Sequence, residues 1–572
     1  MNRNVESHFA LNPTNIDIRR STFDRSHSLK TSFNVGDIVP FFVDEVLPGD
    51  TFNVDTSKVV RLQTLLTPVM DNIYLDTYFF FVPNRLTWSH WKQFNGENTE
   101  SAWIPQTEYE IPQITAPASG GWSVGTIADY LGVPTGVPNL SVSALPFRAY
   151  ALVMNEWFRD EKLSDPLVVP VDDATVVGVN TGTFVTDVAK GGLPYKAAKY
   201  HDYFTSCLPS PQKGPDVTIP VAEAGNYAVV GNGKGFPLVG KNGPYVLSGY
   251  TKSGDLAGFP LGTSVGTGDT NNTSVYGSQG YYALGVPTQA QLGSDLSNSG
   301  LIAVASGNAA AATINQLRMA FQIQKLYEKD ARGGSRYIEI LKSHFGVTSP
   351  DARLQRPEYL GGNRVPININ QVVQQSATAS GETAQGTVTG MSVTTDTHSD
   401  FTKSFTEHGF VLGVMVARYD HTYQQGLERF WSRKDRFDYY WPVFANIGEQ
   451  AVKNKEIYAQ GPSKTDSAGA VIDDQVFGYQ EAWADYRYKP SRVTGEMRSQ
   501  YAQSLDVWHL ADDYSALPML SDSWIREDKT NVDRVLAVTS AVSNQLFADI
   551  YIKNRTTRPM PMYSIPGLID HH

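Results

Sequence analysis

The sequence predicts a mainly β protein, an antiparallel sandwich or barrel with long loop insertions and a few short helices. Three observations carry that prediction. Runs rich in β-branched and aromatic residues recur along the chain, as in residues 73–82 (IYLDTYFFFV). Turn signals separate them, Pro48-Gly49-Asp50 and Pro83-Asn84-Arg85 among them. No regular helices intervene between the early runs, so the crossovers that a parallel sheet needs are missing there.

Taken in order, residues 1–32 are polar and aperiodic and read as an extended N-terminal arm. Residues 33–213 then supply strand-like runs at 33–47, 59–66 and 73–82, a proline-rich loop region from 97 to 145, and an amphipathic helix over 147–159 (FRAYALVMNEWFR). From 214 to 307 the chain changes texture. Gly, Ser, Thr, Asn and Val dominate, with scattered Tyr and frequent turn signals, which predicts a small β-rich inserted module. Loop closure grows only logarithmically with length, so an insertion of this size is tolerable.

Residues 308–362 hold two helices. Thr313 and Gln316 form a capping-box start and Gly333-Gly334 a stop; a second helix opens near Ser335 and closes at Gly346. The first helix is apolar around most of its circumference, with Arg318, Lys325 and Lys329 on a basic ridge. Two roles are open for it: a core hairpin, or an anchor for the inserted module that packs between neighbouring subunits. The body resumes over 363–572, with the strongest strand signals at 403–419 (KSFTEHGFVLGVMVARY) and 534–552 (RVLAVTSAVSNQLFADIYI).

Composition narrows function. The 18% of charged residues is below the roughly 25% of an average globular protein, and aromatics are abundant, which suits extensive surface buried between subunits. The single Cys207 excludes an intramolecular disulfide framework. No apolar run approaches the roughly 20 residues of a membrane span, and the first residues do not resemble a signal peptide, so a soluble protein made in cytoplasm is expected. A formal charge of −11 argues against a generally basic nucleic-acid binder. The ends are basic, however, with Arg19, Arg20, Arg25 and Lys30 near one and Lys553, Arg555 and Arg558 near the other, a pattern suited to polyanion at one surface.

Catalysis is not indicated. Residues 235–242 (GFPLVGKN) match the spacing of a phosphate-binding loop, but Asn242 replaces the magnesium-binding hydroxyl and Gly243-Pro244 forbids the following helix. No zinc-protease motif, Cys pair or nucleophile elbow is present. Glu407-His408 and Asp420-His421 are adjacent pairs, which on a strand point to opposite faces. No cofactor or metal is expected. Residues 429–441 (RFWSRKDRFDYYW) are the chemically suggestive stretch. Arg429, Arg433, Lys434 and Arg436 alternate with aromatics, as in sites that hold single-stranded nucleic acid. Trp431 and Trp441 equally suit a subunit interface.

Several long motifs, in order, resemble the major capsid protein of the gokushoviruses, small tailless single-stranded DNA phages of the Microviridae. They are FVDEVLPGDTF (42–52), FFFVPNRLTWSHWKQFNGE (79–97), NEWFRDE (155–161), HDYFTSCLPSPQKGP (201–215), GGSRYIEILKSHFGVTSPDARLQRPEYLGG (333–362) and FGYQEAWADYRYKPSRVTGEMR (477–498). The resemblance implies a viral jelly roll of eight antiparallel strands and no catalytic residues. It implies roughly sixty copies closing a T=1 icosahedral shell around a circular single-stranded DNA genome. Residues 214–307 would form the protrusion at the three-fold axes, a candidate host-attachment surface, and the N-terminal arm would lie inside. Further implied partners are a DNA pilot protein, an internal scaffolding protein during assembly and a host receptor, without membrane insertion. The competing reading from the residues is a β-rich adhesin or lectin of a small oligomer.

Overall fold

The computed structural model describes residues 19–98, 107–217, 314–376 and 384–564, and the backbone of short strands between 228 and 304. The chain separates into two compact units, Met1–Gly214 with Tyr327–His572, and Pro215–Leu326.

Nine strands of the larger unit build two facing sheets: β1 (Ser21–Asp24), β2 (His27–Phe33), β3 (Val39–Val46), β4 (Thr51–Leu62), β5 (Ile73–Pro83), β6 (Glu358–Pro366), β7 (Thr394–Ser404), β8 (Gly409–Tyr419) and β9 (Leu546–Arg558). One sheet runs β1-β9-β4-β7, with β2 also on β9; the other runs β6-β5-β8-β3. Every pairing in both is antiparallel. The pairings nest. First strands meet the last, β3 meets β8, β4 meets β7, and β5 meets β6.

The residue pattern explains the layers. Along β9, Leu546, Ala548, Ile550 and Ile552 are buried while Phe547, Asp549, Tyr551 and Lys553 are exposed, the alternation of a sheet with one wet face. Strand β8 (GFVLGVMVARY) is buried nearly throughout, because both of its faces are covered. Val411 and Met415 join Phe79, Phe52 and Ile550 in the core between the sheets. Leu412, Val414 and Val416 instead meet Phe80, Trp122 and the helix α1 (Leu145–Val153) on the outer side. Gly413 marks a close approach: a Cβ there would stand 2.8 Å from Phe42 Cβ and 2.9 Å from Phe79 Cε1. A third cluster gathers Phe204, Tyr423, Ile457, Phe477 and Trp524.

In the smaller unit the backbone described between residues 228 and 304 is antiparallel strand. Ala228–Gly231 pairs with Leu301–Val304, and Pro237–Gly240 lies between Gly243–Val246 and Gly280–Ala283, with Ser274–Gly277 beyond.

Several expectations need correction. The strand expected over 534–552 begins only at Leu546; before it, Thr530–Asp533 is a helical turn, and Asp533 accepts hydrogen bonds from Ser540. The run at 403–419 is split, with Ser404 ending β7 and Gly409 opening β8. The N-terminal arm does not extend to residue 32, because β1 and β2 are zipped along β9, which satisfies the backbone groups on the side that faces it. Helix α2 (Ile314–Gly333) and helix α3 (Tyr337–Phe345) form with the expected Gly346 stop at φ 69°, whereas the Thr313 cap lies outside the described residues. They are not a core hairpin. Neither helix buries a residue, and Met319, Phe321, Tyr337 and Phe345 are all more than half exposed.

Candidate assembly and nucleic-acid surfaces

Residues 429–447 fold into three short turns of 3-10 helix, Arg429–Ser432, Arg436–Asp438 and Pro442–Asn446. Asp438 fixes the middle one by accepting the backbone N–H groups of Lys434 (2.7 Å) and Asp435 (3.0 Å), and Pro442 opens the last. Turns this short have no buried face, so the aromatics point outward. Trp431 is 67% exposed, Phe437 61%, Trp441 51% and Val443 87%. Exposed apolar side chains grouped in this way make the strip a candidate contact surface.

The cations within the strip divide into two sets. Arg429 donates to the Ala451 carbonyl and lies 3.5 Å from Glu456; Arg433 is ion-paired to Asp485 and stacked 4.4 Å from the Tyr486 ring centroid. Both side chains are largely buried. Lys434 and Arg436 are exposed, with Arg436 lying 4.8 Å from the Phe437 ring, and the Trp441 indole N–H donates to the Arg436 carbonyl (2.9 Å).

The basic ends divide the same way. Arg25 pairs with Asp44 (2.5 Å), Arg558 pairs with Asp50 (3.1 Å) and donates to the Glu45 carbonyl (2.6 Å), and Arg20 donates to the Gly49 carbonyl. Lys30 and Lys553 stand 3.6 Å from Asp549 and Asp55, in pairs open to water. Arg555 lies across the ladder from Asp24, and Arg19 is exposed at the first described position. On α2, Arg318, Lys325 and Lys329 are all exposed.

Beside the strip, a cleft of about 390 Å³ opens between residues 426–433 and residues 485–498. The aromatic strip predicted one wall. Sequence reading missed the other wall (Tyr486, Tyr488, Lys489 and Arg492) and the counter-carboxylates Glu456 and Asp485. The alternation Tyr486-Arg487-Tyr488-Lys489 was the available signal.

The pairs considered for acid–base work are placed differently. Glu407 holds Arg85 through two hydrogen bonds (2.6 and 3.1 Å). His421 is enclosed, its Nδ1 3.0 Å from Asp512 and its Nε2 3.2 Å from Glu527. Burial alone would lower its pKa, but the charges of Glu527 and Asp512 and their hydrogen bonds outweigh this and push it up to about 10. Burial would raise Asp512, yet His421 and Lys199 hold it well below the usual carboxylate range. Among the described residues, no group of three or more His, Cys, Asp or Glu side chains is arranged to hold a metal, and no helix is long and apolar enough to cross a membrane.

Comparison with known proteins accounts for this combination of a strand-built body and open contact surfaces. Residues 13–568 match the family described as capsid protein (F protein). Capsid protein VP1 of Chlamydia phage 1 is 43% identical over 597 aligned residues, covering 99% of this chain and 98% of the relative. Capsid protein VP1 of Bdellovibrio phage phiMH2K is 42% identical, with 99% and 98% covered, and that of Spiroplasma virus 4 is 41% identical, with 96% of each covered. Matched nearly end to end by the family and by three relatives, the chain belongs to the phage capsid protein (F protein) family.

Proposed function

We propose that the chain is a jelly-roll shell subunit, roughly sixty copies of which close a T=1 icosahedral capsid around a circular single-stranded DNA genome. The nested strand pairing carries this reading. Pairing β1 and β2 with β9, β3 with β8, β4 with β7 and β5 with β6 is what results when one long antiparallel hairpin is rolled up. Cross-links β4–β9 and β5–β8 then close it into two four-layer-wide sheets, the plan of a double Greek key.

The surfaces support assembly. The apolar side chains of α2 and α3 and the strip around Phe437, Trp441 and Val443 lie open in a single chain, and subunit–subunit contacts would cover them. Charge reversal at Arg318 and Lys325 would test the α2 contact. Residues 214–307 would form the exterior module for host attachment, and exposed cations such as Arg19, Lys434 and Arg436 are the candidates to face DNA. A pilot protein and an internal scaffold would act during assembly. The full chain, concentrated under assembly conditions, should give closed particles of uniform diameter by electron microscopy. A monomer at every concentration and salt condition would overturn the proposal.

A further inference from the structure

The cleft beside the aromatic strip has the chemistry of a site for one unstacked base. Its volume of about 390 Å³ sits near the low end of small-ligand sites, roughly 300–1,000 Å³, which suits one nucleoside and is too small for a helix. At its buried end stands the Arg433–Asp485 ion pair, with side chains only 8% and 13% exposed. Arg433 Nε and Asp485 Oδ1 are both buried without a hydrogen-bond partner. Neither atom is open to solvent, so the pair forms a closed wall of the cleft and not a hydrogen-bonding edge for what enters it.

The open end is different. Trp431, Tyr486 and Tyr488 line the cleft and are each at least half exposed. Lys489 and Arg492, with side chains 65% and 62% exposed, share Glu428 at 2.9 Å each, so one carboxylate serves two cations. Five Arg and Lys side chains line the cleft against three carboxylates, a local excess of two positive charges (5 − 3) in a chain of −11.

We propose that this cleft receives a single base of single-stranded DNA. The base stacks on the aromatic rings of Trp431, Tyr486 and Tyr488, and the flanking phosphates lie against Lys489 and Arg492. A neutral sugar also stacks on aromatics, but it has no use for the cationic rim. The proposal rests on the reading of the chain as a DNA-enclosing subunit, and it moves Trp431 from subunit contact to base platform. Recognition is by stacking and is therefore tolerant of sequence.

The test compares two probes on the full-length chain at low salt: an eight-nucleotide oligothymidylate, and an octamer of abasic sugar-phosphate units with the same number of phosphates. Fluorescence anisotropy should show the oligothymidylate bound roughly tenfold more tightly. Trp431→Ala and Tyr488→Ala alter exposed side chains, so folding is retained. Each should erase most of that preference while leaving abasic binding unchanged. Lys489→Gln should weaken both probes alike and flatten their salt dependence.

Equal binding of both probes by the unaltered chain would overturn the base site while leaving DNA enclosure standing. So would a base preference that survives both aromatic substitutions. Failure to bind either probe would remove the DNA reading itself. Displacement of the oligothymidylate by a neutral oligosaccharide such as maltohexaose would reassign the cleft to a glycan.

Discussion

Replacing His421 tests the buried charge network at the base of the third cluster. The side chain is 1% exposed and lies between Asp512, 7% exposed, and Glu527, fully enclosed. The Tyr419 ring packs 4.5 Å away, Tyr514 Oη donates to Asp512 Oδ2 (2.8 Å), and Lys199 Nζ lies 3.7 Å from Asp512. Among the described residues, the His421 imidazolium is the cation paired with both carboxylates. His421→Gln keeps approximate volume and hydrogen bonding but removes the charge, leaving Glu527 buried without a cation. Removing one member of a buried pair costs about 3–5 kcal/mol, because the charge left behind is uncompensated.

The pH dependence gives the sharper check. His421 is raised in the folded state to about 10 from an ordinary value of 6.5. Its contribution is therefore complete below pH 6.5 and declines as pH rises toward 10, since over that window the folded chain keeps a proton that the unfolded chain has lost. The slope for one such group approaches about 1.4 kcal/mol per pH unit. Asp512, shifted downward, acts in the opposite direction and loses its contribution only as pH falls below the ordinary carboxylate range. Urea unfolding of the unassembled subunit at pH 6, 7, 8 and 9 would measure the His421 effect, with the Asp512 contribution constant across that range. The difference between the native chain and His421→Gln should be largest at pH 6 and shrink steadily toward pH 9. A difference that stays flat, or a substituted chain as stable as the native one at pH 6, would refute an imidazolium between two buried carboxylates.

Three other perturbations have definite outcomes. Gly413→Ala places a methyl group 2.8–3.1 Å from Phe41, Phe42 and Phe79 inside the sandwich, and should cost about 1–3 kcal/mol in urea unfolding without changing the slope of the transition. The double substitution Phe437→Ser, Trp441→Ser removes exposed rings, so subunit stability should stay within about 0.5 kcal/mol while particle yield by sedimentation falls severalfold; unchanged yield would show that this strip is not a subunit contact. Replacing residues 214–307 by a short flexible linker should preserve particles in electron micrographs and abolish adsorption to host cells, whereas loss of soluble protein would make the module part of the folding unit.

Much of the sandwich was visible locally and little of its pairing was. Residues 73–82 and 409–419 announce themselves as strands because burial on both faces demands continuous apolar runs. The 546–558 strand is equally regular, yet the apolar signal begins twelve residues before it, at 534, because Val535 and Leu536 are core residues that lie outside the strand. The nested topology pairs Leu29 with Ile550 and Lys58 with Asp396, partners hundreds of residues apart whose selection depends on closing the whole hairpin. No window of sequence contains that information. The same holds for β1 and β2: a polar strand whose partner lies at the other end of the chain is indistinguishable from a free arm.

The candidate contact sites show why counting cations overstates what is available to DNA. Arg25, Arg429, Arg433 and Arg558 carry the same formal charge as Arg19, Lys434 and Arg436, but each of the first four is committed to a carboxylate of its own chain. A phosphate competing for Arg433 must displace Asp485 at a site already 8% exposed, and gains little for the exchange. The rim cations Lys489 and Arg492 make a different case, because they are exposed and share the single carboxylate of Glu428, so a phosphate can approach them and counterion release favours binding. The aromatic spacing in 429–441 singles out the stretch, but what Arg429 and Arg433 do follows from acids 27 and 52 residues downstream. Arg433 and Asp485 therefore stand in the cleft wall as a closed ion pair and not as free charge, which leaves stacking on the aromatic rings and the exposed cations Lys489 and Arg492 to decide what enters.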